Sequence, residues 1–270
     1  MRKIGCCTWI FGEASLVSSA GMVKKAGLDG VELFGDWQNI EAGEAKEILD
    51  DQGLQVFSLT PADADISHPD AAKRQMALDY YKGLMDFAAE FGAPLVSCHG
   101  QVTRIAPISS QEEEDALLVD VTRKICEMAK ANDLKVVFEI LNRYETHQIR
   151  TVKEGLALLD EVGASNLSLL PDAYHMNIEE EDPAHALKLA GDTLGLYHAA
   201  DSNRCGVGQG NIEFAAQINA LNEIEYAGPI ILEVNAPGPN PFTPNKGEGF
   251  QSIVANQLAQ SVQALRALGA

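Results

Sequence analysis

The sequence predicts an α/β protein in which eight parallel strands close into a (β/α)8 barrel, or TIM barrel, forming a single domain over residues 1–270. Eight short apolar runs alternate with eight longer amphipathic segments within about 250 residues, the usual length of such a barrel. Several amphipathic segments end in glycine just before the next apolar run, as helices commonly do. No Ser-, Gly- or Pro-rich linker divides the chain. An open doubly wound sheet more often has about five to seven strands, so the repeat favours closure.

The predicted strands are apolar or β-branched runs of four to six residues: 3–8, 30–34, 55–59, 95–98, 135–140, 167–170, 195–199 and 229–234. The predicted helices carry apolar residues at helical spacing: 16–26, 41–52, 71–91, 111–132, 152–162, 183–189, 213–222 and 250–268. Gly27, Gly53 and Gly92 follow the first three helices, where a left-handed residue ends a helix.

Composition limits the possible partners. The chain carries 20 Lys and Arg against 39 Asp and Glu, a formal net charge of −19, which repels a phosphate backbone and excludes nucleic acid as an expected partner. The first apolar run ends at Ile10, too early for a membrane span, and lacks a secretory cleavage pattern. We therefore expect a soluble, cytoplasmic protein with no membrane partner.

Ionisable side chains stand at the ends of four consecutive predicted strands. Glu139 and Glu233 follow apolar residues, and Asp172 and His198 end the two strands between them. In a barrel, functional groups come from these carboxyl-terminal strand ends, and a charge emerging from a buried strand must be paired or bind a metal. One such residue alone is typical of a solvated rim or a salt bridge. Three carboxylates with one imidazole instead suit Mn²⁺, Mg²⁺ or Co²⁺.

Three segments of the sequence, 139–145, 172–180 and 198–204, resemble a known family, the xylose-isomerase-like barrels. Within that family they most closely resemble the D-tagatose 3-epimerase and D-psicose 3-epimerase group. The resemblance covers the C-terminal half best. It implies a divalent metal, Mn²⁺ first with Mg²⁺ or Co²⁺ as alternatives, bound by Glu139, Asp172, His198 and Glu233. It also implies that Glu139 and Glu233 act as the acid/base pair, and that sugar oxygens are contacted by Glu145, His175 and Arg204.

The implied reaction inverts a carbon beside a ketone. A metal that chelates the carbonyl and the neighbouring hydroxyl spreads the charge of the deprotonated substrate into an enediolate. One carboxylate then removes the proton and the other returns a proton from the opposite face. Three carboxylates and one dication sum to −1, so a nearby Arg204 would help to hold an oxyanion. Alternatively, Arg204 is a surface residue paired with an acid such as Asp201.

Two strand ends depart from the pattern expected for enzymes of free ketoses. Strand 4 is followed by His99, an additional imidazole in the barrel mouth that would change substrate contacts. Strand 1 is followed by Trp9, which forms either an apolar wall for the substrate or ordinary core packing. The segment 236–241 contains three prolines and predicts a stiff, irregular loop beside the pocket.

The leading hypothesis is thus a metal-dependent isomerase that epimerises a ketose or keto-sugar. One alternative is an epimerase or lyase of 3-keto glycosides, because the same apparatus acidifies a proton beside any sugar ketone. Another is a catalytically silent barrel used for binding or assembly. A DNA-repair endonuclease would need more zinc ligands than six histidines readily supply, and a basic face. The expected partners are a small sugar and further copies of the chain, as a dimer or tetramer.

Overall fold

A computed structural model describes residues 1–92, 95–238 and 243–270, and its eight strands alternate with helices. The strands are β1 (Ile4–Cys7), β2 (Gly30–Phe34), β3 (Gln55–Thr60), β4 (Leu95–Cys98), β5 (Lys135–Ile140), β6 (Leu167–Pro171), β7 (Tyr197–Ala199) and β8 (Ile230–Leu232). Every residue of β1, β4, β7 and β8 is buried, as expected for a parallel sheet covered on both faces.

The eight strands form one parallel sheet that curves into a nearly closed barrel. Their order is β6-β5-β4-β3-β2-β1-β8-β7. The remaining seam between β6 and β7 is spanned by two isolated parallel bridges, Leu169 to Leu194 and Asp172 to His198. The predicted (β/α)8 barrel is confirmed, whereas the domain bounds 1–270 stay a prediction.

Nine α-helices lie in the described ranges: α1 (Leu16–Lys25), α2 (Ala42–Asp51), α3 (Ala71–Ala89), α4 (Gln111–Ala131), α5 (Val152–Val162), α6 (Ala173–Glu179), α7 (Pro183–Ala190), α8 (Phe214–Glu223) and α9 (Phe250–Ala267). Eight match the predicted helices to within a few residues at each end. The additional helix, α6, has only seven residues and begins at the strand end itself, with the Asp172 side chain accepting from the Tyr174 N–H. This turn is too short for helical periodicity to be recognised.

Local sequence signals explain where α5 begins and ends. Thr151 accepts a hydrogen bond from the Glu154 N–H while the Glu154 side chain accepts from the Thr151 N–H, a reciprocal capping box. Gly163 ends the helix with a φ of 67°, a left-handed conformation in which side chains other than glycine are disfavoured. Leu158 and Val162 on its inner face pack into the core.

Three details of the barrel bear on the site. The last strand ends at Leu232 rather than the predicted residue 234, so Glu233 begins the following loop. The pairing of β2 with β3 shifts by one residue between Val31 and Glu32, an irregularity that re-aims side chains. The Pro-rich loop predicted over 236–241 lies outside the described residues from 239 onward. Among the described helices, none combines the length and apolarity needed to cross a bilayer.

Candidate metal and active site

Four ionisable side chains converge at the carboxyl end of the barrel. Glu139 lies on β5 and His198 on β7, whereas Asp172 and Glu233 directly follow β6 and β8. All four are buried, with at most 5% of any residue exposed. One donor atom from each lies within 4.8 Å of those of the other three. Ligand atoms about 2.0–2.2 Å from one ion lie within about 4.4 Å of each other, so a small contraction would let all four bind one dication.

The imidazole of His198 carries a buried nitrogen suited to a metal. Its Nδ1 has no hydrogen-bond partner within the described part of the chain, and lies 3.5 Å from both Glu139 Oε1 and Glu233 Oε2. Its Nε2 lies 3.2 Å from Glu32 Oε1 on the opposite side. A buried polar atom without a partner is costly, and coordination of a cation by Nδ1 would satisfy it. The donor set therefore fits a divalent ion.

The surroundings of the two glutamates, Glu139 and Glu233, shift their pKa values in opposite directions. Burial raises the pKa of Glu233 to about 7, against the opposing charge of Arg204 and with the repulsion of Glu139. Burial acts in the same direction on Glu139, but the proximity of His198, whose Nδ1 lies 3.5 Å from Glu139 Oε1, and the positive charge of that ring outweigh it and lower the pKa of Glu139. Glu233 is therefore the carboxyl that more readily holds a proton near neutral pH in the metal-free chain.

The other two members of the set are stabilised in their charged forms. Burial opposes ionisation of Asp172, yet the adjacent guanidinium of Arg204 holds its pKa well below the ordinary range. Burial likewise opposes protonation of His198, but the negative charges of Glu32 and Glu233 raise its pKa above the ordinary value. A proton and a divalent ion would therefore compete for His198.

Arg204 lies inside the site rather than on the surface. Its Nη1 is 2.6 Å from Asp172 Oδ2 and its Nη2 is 2.7 Å from Glu233 Oε2, and the guanidinium stacks 4.4 Å from the Tyr174 ring centroid. The alternative pairing with the Asp201 side chain is wrong, because that carboxylate accepts three backbone N–H groups of its own loop instead. A fixed cation thus borders the four-residue cluster.

A hydrogen-bond network fixes the tautomer of His175, which is 1% exposed. The Asn142 Oδ1 accepts from the Tyr144 N–H, so the Asn142 amide nitrogen must face the other way. That nitrogen donates to Glu145 Oε1 at 3.0 Å and lies 2.7 Å from His175 Nδ1. His175 Nδ1 must therefore accept. Burial lowers the pKa of His175, so the ring is neutral and can accept at only one nitrogen. The 2.7 Å contact with Asn142 assigns that role to Nδ1 and the proton to Nε2, so Arg204 Nη2, which only donates and lies 3.4 Å from Nε2, makes no hydrogen bond with the ring.

A cavity of about 430 Å³ opens above the cluster. Trp9 and His99, which follow the two strand ends that differ from the free-ketose pattern, both line it. Trp9 is not only a wall, because its indole N–H donates to Glu233 Oε1 at 3.2 Å. His99 is 7% exposed, and its Nδ1 donates to the Gly100 carbonyl at 2.7 Å. All nine residues singled out in the sequence thus reach this mouth: seven line the cavity, and Asp172 and His198 lie in the cluster beneath it.

Sequence reasoning missed the residues that support these groups. Glu32 is fully buried within β2 and contacts His198, and Asn142 was given no role although it lies in a matching segment. Glu32 and His198 also form a second group of potential metal ligands with Cys7. The available signal for Glu32 was a carboxylate inside an apolar run predicted as a buried strand, since such a charge requires partners.

The fold and the site place the chain in a class of proteins: TIM barrels with a carboxylate-rich candidate metal centre at the strand ends, here three carboxylates and an imidazole beside an arginine. A family model described as "Xylose isomerase-like TIM barrel" matches residues 21–267. The chain belongs to that xylose isomerase-like TIM barrel family.

Curated relatives and solved structures agree with this assignment. An L-ribulose 3-epimerase of Methylomonas sp. (strain DH-1) is 33% identical over 214 residues, covering 77% of this chain and 74% of the relative. A 3-dehydro-D-guloside 4-epimerase of Escherichia coli (strain K12) is 29% identical over 241 residues, covering 86% and 91%. The crystal structure of D-allulose 3-epimerase from Methylomonas sp. aligns with a TM-score of 0.87 at 26% identity, covering 99% and 98%. The similarity therefore extends along most of each chain.

Proposed function

We propose that the protein is an epimerase, in the isomerase class, that inverts a carbon next to the ketone of a ketose or keto-sugar and requires a divalent metal. One observation carries the proposal: three carboxylates and one imidazole, from four strands, present donor atoms within 4.8 Å of one another. Relatives named as ketose and keto-glycoside epimerases support it. The ion that suits this oxygen-rich set first is Mn²⁺, with Mg²⁺ or Co²⁺ as alternatives.

The residues that would hold the ion are Glu139, Asp172, His198 and Glu233. When bound, it would supply positive charge where negative charge develops on the substrate's carbonyl and adjacent hydroxyl oxygens. The protein's own contribution is to fix the positions of the charged groups before the substrate arrives.

Glu139 and Glu233 are proposed as the proton-transferring pair. Glu139 projects from the end of β5 and Glu233 directly follows β8, and these strands are three apart in the ring of eight, so we expect the two carboxylates to approach a sugar in the mouth from different sides. One takes the proton from the carbon, and the other returns a proton to the opposite face of the enediolate. In the metal-free chain Glu233 more readily holds a proton while Glu139 is more fully ionised, so the two glutamates start in the different protonation states that this division of labour requires.

Arg204, His175 and Glu145 are proposed to bind sugar oxygens. Arg204 supplies a permanent cation beside the developing oxyanion, and the neutral His175 supplies an Nε2–H donor. Glu145 lines the same cavity and accepts hydrogen bonds from sugar hydroxyls. These three groups would orient the ketone relative to the two glutamates.

A keto glycoside is the second candidate substrate, with epimerisation or elimination as the reaction. The cavity of about 430 Å³ is bordered beside the cluster by Trp9 and His99, and we propose that an aglycone would occupy this side of it. The relative named 3-dehydro-D-guloside 4-epimerase supports this alternative. A catalytically silent barrel stays possible only if no ion binds. Cytoplasmic location and assembly as a dimer or tetramer stay predictions.

The proposal is tested on chelator-stripped protein resupplied with Mn²⁺, Mg²⁺ or Co²⁺. We expect one equivalent of ion to bind and to restore epimerisation of at least one sugar among D-fructose, D-psicose, D-tagatose and 3-keto glucosides. Turnover of the keto glucosides alone would identify the second candidate. Absence of both ion binding and turnover would contradict the proposed function and support the silent barrel.

A further inference from the structure

Glu32 is a carboxylate in an unusual place for a charge. It lies in the middle of β2 between Val31 and Leu33, and none of its surface is exposed. A carboxylate in such a position is costly unless hydrogen-bond donors surround it. The partners of Glu32 therefore indicate what the residue does.

Side chains from neighbouring strands supply those donors. Ser58 Oγ donates to Glu32 Oε2 at 2.5 Å, and the Thr60 hydroxyl donates to Glu32 Oε1. The Cys7 thiol lies 3.5 Å from the same Oε1. Ser58 and Thr60 are two residues apart on β3, so their side chains project from the same face of the sheet. The irregular register of β2 and β3 begins at Glu32, where it re-aims the carboxylate.

The remaining partner of Glu32 is His198. Nε2 of that imidazole lies 3.2 Å from Glu32 Oε1 and 3.3 Å from Oε2. An ionised carboxylate only accepts hydrogen bonds, so Nε2 must carry the proton in this pair. The other nitrogen, Nδ1, then faces Glu139 and Glu233 with its lone pair free in the neutral ring.

We propose that Glu32 is a positioning residue: it holds His198 in the Nε2–H tautomer and in one orientation, and thereby strengthens the binding of a divalent ion at Nδ1. The inference rests on the metal centre proposed above. Carboxylates that accept the second N–H of a ligating histidine fix its ring and increase its basicity. Here Ser58 and Thr60 in turn hold Glu32. An ion at Nδ1 would therefore be supported by three successive groups: the hydroxyl groups of β3, the Glu32 carboxylate and the His198 ring.

Calorimetric titration of Mn²⁺ into chelator-stripped protein tests the proposal. We expect Glu32→Ala to weaken Mn²⁺ binding about 10- to 100-fold. Glu32→Gln should weaken it less, because the amide oxygen still accepts from His198 Nε2 but carries no charge. The matched control is Glu114→Gln, since Glu114 is also fully buried and faces a histidine, His147, but belongs to α4. Circular dichroism and the Tm of each metal-free variant establish that it is folded.

A second measurement reports the tautomer directly. Long-range ¹H–¹⁵N spectra of the histidines in the metal-free protein, recorded at a pH at which the His198 ring is neutral, should show a protonated Nε2 and an unprotonated Nδ1 in the wild-type protein and in Glu114→Gln. Glu32→Ala should lose this pattern, because only Glu139 and Glu233, on the Nδ1 side, then accept from the ring.

The outcomes separate this inference from the proposed function. If the wild-type protein binds one ion and folded Glu32→Ala binds it within twofold of wild type, the positioning role is wrong while the metal centre stands. Binding of two ions, one of them lost in Cys7→Ser, would overturn the positioning role in favour of a second ion at Cys7, Glu32 and His198. If the wild-type protein binds no ion, both proposals fail.

Discussion

The two halves of the barrel contribute differently to the candidate site. The C-terminal strands β5 to β8 present the four clustered donors at or just beyond their ends. The N-terminal strands β1 to β3 contribute no member of that cluster, yet they carry Glu32 and the hydroxyl groups that hold it. One half supplies the groups that would touch an ion, and the other supplies the layer that fixes their orientation.

This difference shows where sequence reasoning is effective. A strand-end residue such as Glu139 is located by a rule of the fold, because functional side chains of a barrel emerge at its carboxyl-terminal face. Glu32 lies inside a strand, and its hydroxyl partners have spacing that any strand shows. Supporting residues are defined by contacts between strands, which only the three-dimensional register reveals.

The largest expected effect lies in the C-terminal half. Glu139→Gln and Glu233→Gln should each reduce incorporation of solvent deuterium at the substrate carbon by about 10²- to 10⁴-fold, because an amide neither takes nor returns the proton. Mass spectrometry or NMR of sugar incubated in D₂O measures the exchange. Retention of near wild-type exchange by both variants, with Glu114→Gln as the folded control, would remove the glutamates from the acid/base role.

The fold was largely predictable because its signals are local and repeated. Each strand was recognised from an apolar run, and the ends of the first three helices from Gly27, Gly53 and Gly92, all of which have a positive φ in the structure. The missed helix, α6, depends on one side chain, Asp172, capping a seven-residue turn. That contact gives no periodic signal, so it was not predictable from the sequence pattern.

The site was predictable only in part for the same reason. The convergence of Asp172 and His198 follows from adjacent strand ends, and the structure joins these two residues by a direct bridge between β6 and β7. The hydrogen bond from Trp9 to Glu233 was not predictable: barrel closure brings the ends of β1 and β8 together, but it does not determine the orientation of the indole ring. Nor was the contact of Asn142 with His175, which requires the amide orientation set by the Tyr144 N–H.

An intermediate effect is expected from the tautomer network, which shows that the C-terminal half also contains supporting residues. Asn142→Asp replaces the donor facing His175 Nδ1 by an acceptor, which favours a proton on Nδ1 and removes the Nε2–H donor. Loss of a hydrogen bond to a charged oxyanion costs about 1.5–3 kcal/mol, or roughly 10- to 150-fold in kcat/KM. Steady-state kinetics measures kcat/KM, and Mn²⁺ titration measures the affinity for the ion separately.

The Asn142 experiment has a matched control and a clear contrary result. Asn132 caps the end of α4 by donating to the Met128 carbonyl, so Asn132→Asp makes the same chemical change away from the mouth. Asn142→Asp should leave Mn²⁺ affinity within a few-fold of wild type. A loss of Mn²⁺ affinity as large as the loss of kcat/KM would mean that Asn142 supports the metal cluster rather than His175.

The smallest expected effect tests the N-terminal half most sharply. Ser58→Ala removes one hydroxyl donor from Glu32 and should weaken Mn²⁺ binding about fivefold, or about 1 kcal/mol. Ser97→Ala is the control, because Ser97 is equally buried on β4 but donates to the Leu59 carbonyl. If Ser58 acts through Glu32, Ser58→Ala should have no further effect in a Glu32→Ala background. If calorimetry instead shows that the two losses of Mn²⁺ affinity are fully additive, Ser58 does not act through Glu32. Glu32 would then be the one residue of β1 to β3 for which support of His198 is retained.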